Sequence, residues 1–306
     1  MMANQSIASG RVGLLTRIRR NYSCYLFAAP FTLIFLTFTF IPVIVAVFYS
    51  LTSYNLLEAP VLVGWANYQK LFVNDDLFIE ALKNTLSIAV IVGPVGYLLS
   101  LIFAWLINDF APKLRALLTM LFFLPGLASA YAIWKILLAA DDYGIVNAYL
   151  TRWGLIGQPV WWLQDEKIMM GTLIFIMIWG SIGNGFLAFI AGFQTIDVSL
   201  YEAGAIDGVR NRFQEMWFIT LPSMKPQLMF GAVMSIGGAF NVGDVITVLV
   251  GSPTPNYAAH TLVHHIEDYA NIRFEMGYAC SVSVVLFILV VGTNKVIQKM
   301  LSKVGT

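Results

Sequence analysis

Charge is what this chain has least of. Lysine, arginine, aspartate and glutamate make up 11% of its 306 residues, against about a quarter in an ordinary soluble domain. Too few charges remain to cover a water-soluble surface. Cysteine is scarce as well: Cys24 and Cys280 are expected at opposite membrane faces, so no disulfide framework is implied. No glycine-rich stretch is followed by Lys and Ser or Thr, which excludes a phosphate-cradling P-loop. If ATP drives this protein, another chain binds it. With a net charge of +1 and no basic cluster, nucleic acid is not an expected partner.

Apolar residues take the place of charge. They form 58% of the chain and give a mean hydropathy of +0.76. Six runs are long enough to cross a bilayer, at 25–50, 84–107, 117–139, 168–193, 228–250 and 277–297. Crossing takes about 20 residues of helix, because hydrocarbon offers backbone groups no partner outside the segment. The expected fold is an all-α membrane protein with six transmembrane helices. It comprises an N-terminal segment at 1–24 and a six-helix domain at 25–300, with a long loop at 194–227. The basic "RIRRN" precedes a run that exceeds the roughly 7 to 15 apolar residues of a signal-peptide core, so the first span is a retained anchor.

Lysine and arginine set the orientation. With the N-terminus inside, the inner segments hold twelve of them, among them Arg17, Arg19, Arg20, Arg210 and Arg212, and the outer loops hold five. Both termini and the 194–227 loop are thereby placed in the cytoplasm. In the first outer loop Asp75 or Asp76 is expected to cap a short interfacial helix, with Leu77, Phe78, Ala81 and Leu82 on one face. Trp153, Trp161 and Trp162 in the second suit the outer headgroup belt. Glycine and proline inside the spans, in "GPVG", "LPG" and "GSIGNG", fit either close helix packing or bent, mobile helices.

Polar residues inside spans are costly, about 2.5 to 3.5 kcal/mol for a central charge on insertion scales, and face a cavity or a partner. Asn241 and Asp244 in the fifth span, and Ser181 and Asn184 in the fourth, are each three apart and so on one helical face. They are candidate pathway residues, with polar contacts between helices as the alternative. Lys135, near the outer end of the third span, is a candidate ion-pair partner of Asp244. All three histidines fall in "HTLVHHIED". His260 and His264, with Glu267 and Asp268 nearby, meet the minimum for a metal site, but Thr261 stands where the zinc-protease pattern needs Glu. An outer gate or scoop is the preferred reading of that loop, including His265, and no metal and no catalytic residue are expected.

The 194–227 loop contains "LYEAGAIDGVRNRFQEMWFITLPSMKP". Glu202 to Gly208 reads as a short helix, with Glu202 in its first turn near the positive end of the dipole and Gly208 ending it. A second short helix, about Asn211 to Trp217, ends before Leu221 and Pro222, and Pro226 starts the fifth span. Two helices around a glycine turn make a stiff element that another protein can push.

"EAGAIDG" followed by "ITLP" resembles the EAA motif of membrane subunits of ATP-binding cassette importers that depend on a solute-binding protein. "FTFIPVIVAVFYSLTSYNL", "GWANYQKLF", "ALKNTLSIAV", "GFLAFIAGFQTI" and "MGYACSVSVVLF" resemble the carbohydrate-uptake branch, so the similarity runs from about Tyr25 to Ile297. It implies the type I importer permease fold, with cytoplasmic coupling helices seated in an ATPase. Glu202, Ala203, Gly208, Ile219, Leu221 and Pro222 match the motif, and Asp207 lies within it. Gly204 replaces the usual second Ala, and ten rather than nine residues separate Gly208 from Ile219, the extra one expected in the turn. "FNVGD" resembles the sugar-contacting segment of the maltose importer's sugar-binding membrane subunit, and "WGSIGNGF" places Ser181 and Asn184 on the other contact-bearing span. Implied partners are a second, different permease chain, two ATPase subunits that bind ATP and Mg, an extracytoplasmic solute-binding protein, and a sugar or oligosaccharide. The implied location is the bacterial inner membrane, and the chain itself would be non-catalytic and without a cofactor. Two other readings are a self-contained secondary transporter or channel with Asp244 as its ion site, and a metal hydrolase on the histidine loop. Neither explains the paired inner helices.

Overall fold

The computed structural model describes residues 21–126, 131–141 and 144–303, leaving aside the side chain of Asn184. The N-terminal arginines and Asp142 lie outside those residues. The first span, Tyr22–Tyr49, is apolar on every side, and none of its most apolar window is buried by the rest of the chain. A helix of that kind is surrounded by lipid or by another subunit. A two-residue antiparallel ladder, Thr52–Ser53 with Val61–Leu62, and a short helix, Ala66–Val73, lead into the second span.

The second span runs unbroken from Asp76 to Asn108. At 1.5 Å per residue its 33 residues reach about 50 Å, so both ends stand clear of a hydrocarbon core about 30 Å thick. The separate interfacial helix expected around Leu77 to Leu82 is its first two turns. Asp75 caps them by accepting from the Phe78 amide at 2.9 Å, and no glycine or proline follows before Gly93 and Pro94. Phe78 and Ala81 are buried against Leu262, Tyr269 and Tyr278.

Three of the remaining spans are broken. The third comprises Pro112–Gly126 and Tyr131–Leu137, and the fifth comprises Lys225–Phe240 and Gly243–Val250, bent by 44°. Glu166–Gly180 and Asn184–Thr195 form the fourth, and Met276–Leu301 is the sixth. The second span stands at the centre, packed on the fourth and fifth. Small residues permit the close approaches that helix packing in a membrane requires: a Cβ on Gly231 would come within 2.5 Å of the Phe189 ring.

The Asp75 end of the bundle is tied by one buried polar cluster. Asp75 Oδ2 accepts from the Tyr278 hydroxyl at 2.5 Å and the Tyr269 hydroxyl at 3.4 Å, and lies 3.1 Å from His265 Nε2. His265 Nδ1 is 3.3 Å from His260 Nε2. His264 bonds Thr261 Oγ1 at 2.9 Å and Thr247 Oγ1 at 3.1 Å. All three histidines are buried, and Asp75, far away in sequence, holds His265 inward. Among the described residues no group of three His, Cys, Asp or Glu side chains is placed to hold a metal.

Burial, then the neighbouring His265 and His264, push His260 down to about 4. Burial also lowers His264 and His265. For Asp75, burial works upward, but the bonds from Tyr278 and the Phe78 amide, with His265, leave its carboxyl below the usual value. The histidines are therefore neutral in the folded loop and protonate near 6.5 once it opens. Because the open state binds more protons, the cluster loses stability as pH falls from about 6.5 toward the lowered folded values. Amide hydrogen exchange across residues 258–278, corrected for intrinsic rates, should accelerate at pH 5 relative to pH 7.5. Asp75→Asn, which removes a charged acceptor worth about 1.5 to 3 kcal/mol per bond, should produce the same acceleration at pH 7.5.

Candidate functional site

Two breaks meet on one cavity. The fourth span leaves the helix at Ser181–Gly183, and the fifth at Asn241 and Val242. Between them lies a cavity of about 330 Å³, walled also by Tyr97 and Ser100 of the second span and by Phe123 and Tyr131 of the third. Backbone that departs from the helix at membrane depth is tolerated where it lines such a space.

The expected pathway residues divide on this geometry. Ser181 and Asn241 line the cavity. Asn184 opens the second half of the fourth span, and its side chain lies outside the described residues. Asp244 is exposed on the first turn after the break and is not on the cavity wall; its titratable neighbours include His264 and Glu267. The shared helical face expected for Asn241 and Asp244 is therefore absent, because the helix stops between them. Ser181 and Asn184 are parted by a break in the same way. Lys135 and Asp244 form no ion pair; Lys135 lies with Leu138, Leu163 and Leu249 along a separate groove.

Ser181 Oγ is spent on its own helix end, donating to the Ile178 carbonyl at 2.6 Å, and Ser235 Oγ donates to the Gly93 carbonyl at 2.8 Å. The Tyr97 hydroxyl bonds the Leu228 carbonyl at 3.3 Å. Neither the Tyr131 hydroxyl nor the Asn241 amide has a side-chain bond among the described residues, so these two are free to meet a solute. Sequence reasoning missed Tyr131. Its one signal was position, just beyond the "LPG" that interrupts the third span. Tyr131 packs directly over Gly180, where a Cβ would collide with its ring, so the ring is fixed beside the fourth-span break.

The second candidate site is the 197–224 segment at the far end. Asp197 caps Val198–Ile206 by accepting from the Ser199 amide. Glu202 is thus in the middle of this helix, a turn later than its expected place. Glu202, Ala203, Ile206 and Asp207 are exposed, while Gly204 is buried. A Cβ on Gly204 would come 2.5 Å from Ile219 Cδ1, which accounts for glycine at that position. Gly208 follows with φ +96, a left-handed turn that suits glycine. Asn211 caps Arg212–Glu215, and the Tyr201 and Thr220 hydroxyls lie 2.9 Å apart, closing the two helices together.

The second helix does not stop before Leu221 and Pro222. It widens into a π turn at Met216–Thr220 and continues through Leu221–Ser223. A π turn closes i to i+5 in place of i to i+4, so it gives the one extra residue a place within the helix as well as in the turn. Ile206, Phe213, Trp217 and Phe218 are exposed on this element, an apolar surface of the kind that marks a protein or membrane contact.

Comparison with known proteins follows this geometry. Residues 78–299 match the family described as the binding-protein-dependent transport system inner membrane component. The arabinooligosaccharides transport system permease protein AraP of Bacillus subtilis (strain 168) is 30% identical over 90% of this chain and 87% of its own. For the lactose transport system permease protein LacF of Rhizobium radiobacter the identity is 32%, over 89% and 92%. A chain from the crystal structure of a bacterial ABC transporter involved in the import of the acidic polysaccharide alginate superposes with a TM-score of 0.75 at 22% identity, covering 96% of this chain and 99% of that one. The chain belongs to the binding-protein-dependent transport system inner membrane component family, as a multi-pass permease subunit.

Proposed function

We propose that this subunit lines part of the import pathway for a sugar or oligosaccharide delivered by an extracytoplasmic solute-binding protein. One observation carries the reading: a cavity with a free tyrosine hydroxyl and a free asparagine amide stands on the same scaffold as an exposed, apolar-tipped helical element. Sugar hydroxyls both donate and accept, as Tyr131 and Asn241 do, and sugar C–H faces sit well on rings such as Phe123, Tyr131 and Phe189. The relatives named for arabinooligosaccharide and lactose transport support this solute class. So does a structural neighbour solved with an alginate pentasaccharide-bound periplasmic protein. Asp244 stands off the cavity wall, so a self-contained ion-driven carrier finds no support.

The excess of inner lysine and arginine supports placing both termini and the 197–224 element in the cytoplasm of a bacterial cell, with the Asp75 end outside. Two ATPase subunits, which hold the ATP and Mg, dock on this element and on its counterpart in a second, different permease chain. Glu202, Ala203 and Asp207 face the ATPase. Gly204, Gly208, Ile219, Leu221 and Pro222 fix the shape that Glu202 is presented on. ATP binding draws the two elements together and turns the pathway outward, and hydrolysis resets it.

Two substitutions test the docking. Glu202→Lys alters an exposed charge, and Gly208→Pro forces φ near −65° where +96 is needed. Either should leave the subunit in the membrane while ATP-driven uptake falls by about tenfold or more, a loss of about 1.4 kcal/mol or more in coupling. Pull-down of wild type should recover a Walker-motif ATPase and a second permease, with the ATPase depleted for Glu202→Lys; unchanged uptake and recovery would refute the role. A separate check concerns the solute. In proteoliposomes assayed with a panel of labelled saccharides, Tyr131→Phe should slow uptake of the transported one by about 2- to 10-fold, the worth of one neutral hydrogen bond, with basal ATP hydrolysis unchanged.

A further inference from the structure

The docking element reaches the cavity by two routes. One is covalent: through Leu221–Ser223 the chain runs into the first half of the fifth span, which ends at Phe240, just before Asn241. The other is a side-chain contact at the end of the second span. Arg212 Nη2 lies 2.5 Å from Asp109 Oδ2, and its guanidinium stands 5.1 Å from the Trp105 ring centroid. The Phe213 ring meets Trp105 edge-on at 5.3 Å. Asp109 caps the carboxyl end of the second span, where the helix dipole disfavours an anion and favours a cation. Arg212 answers both, and Arg115 supports the same end by donating to the Asn108 carbonyl at 3.1 Å.

The ion pair is about half exposed, and pairs of that kind add little to stability. Its worth lies in direction. A planar guanidinium stacked on an indole and aimed at a carboxylate has a fixed orientation that a lysine would lack. From Asp109 the second span runs on as helix past Ser100, Tyr97 and Val92, which wall the cavity together with Gly231 and Ser235 of the fifth span.

We infer that Arg212, gripped by Asp109 and Trp105, is a positioning residue that hooks the docking element to the second span, so that one displacement of the element moves both walls of the cavity. This rests on the reading of the 197–224 element as the ATPase dock. The test uses the full complex in lipid nanodiscs, with Cys24 and Cys280 replaced by serine. Spin labels are placed at exposed positions: Ile102 of the second span or Phe230 of the fifth, each measured against Ile288 of the sixth.

With Arg212 intact, addition of ATP and magnesium should shift both distances. Arg212→Ala and Asp109→Asn should each abolish the shift of the 102–288 distance while that of 230–288 persists. The charge swap Asp109→Arg with Arg212→Asp should restore the lost shift. A 102–288 shift that survives both single substitutions overturns the proposal. So does equal loss of both shifts, which would make Arg212 an ordinary docking contact. A purified complex without an ATPase overturns the docking reading itself, and the hook with it.

Discussion

Hydrocarbon supplies no partner for a free backbone N–H or C=O, and this restriction decides where the chain can leave the helix. It leaves the fourth and fifth helices on the wall of one cavity, and there the exposed groups are met locally. Ser181 returns its hydroxyl to the Ile178 carbonyl, and the Asn241 backbone N–H donates to the carbonyls of Gly237 and Gly238 at 3.2 Å. The cavity exists because the breaks are shared. A single broken span facing lipid would strand its carbonyls, whereas facing breaks enclose a space that water or a solute can fill.

The second span gives those breaks a fixed reference. It is longer than the hydrocarbon is thick, so both of its ends sit among polar groups and both are held by acidic residues. Asp75 gathers His265, Tyr269 and Tyr278 at one end, in burial. Asp109 takes Arg212 at the other, half in solvent. The buried end is rigid and stabilising, while the solvated end is cheap to break and remake. That asymmetry suits a pillar anchored on one side of the membrane and worked from the other.

Much of this was legible in the sequence, and the misreadings have physical causes. Six apolar runs revealed six spans because no soluble fold tolerates that composition. Their ends were not legible: Asp76, Glu80 and Lys83 read as loop residues, yet helix geometry continues past the bilayer edge when a cap such as Asp75 starts it. Spacing of three placed Asn241 with Asp244 on the assumption of an unbroken helix, and nothing local in "FNVGDV" announces the stop. Tyr131 carried no chemical signal in the sequence, since its free hydroxyl is a property of neighbours on other spans. Gly204 looked like a departure from a motif until Ile219, folded back over it, explained the missing methyl.

Gly277 opens the sixth span with its amide on the Tyr54 carbonyl at 3.1 Å, so close to the Thr52 carbonyl that any side chain would collide. Beside it, Asn67 binds the carbonyls of Ser50 and Thr52, each at 2.9 Å. The first span, otherwise uncovered, is seated chiefly on the last. Pairings between such distant parts of a chain are late to form. The first span finds its main seat in this chain only once the sixth span is in place. The clasp between them joins two flanks of the bundle, and loosening it at Gly277 would leave the first span little else to rest on among the described residues.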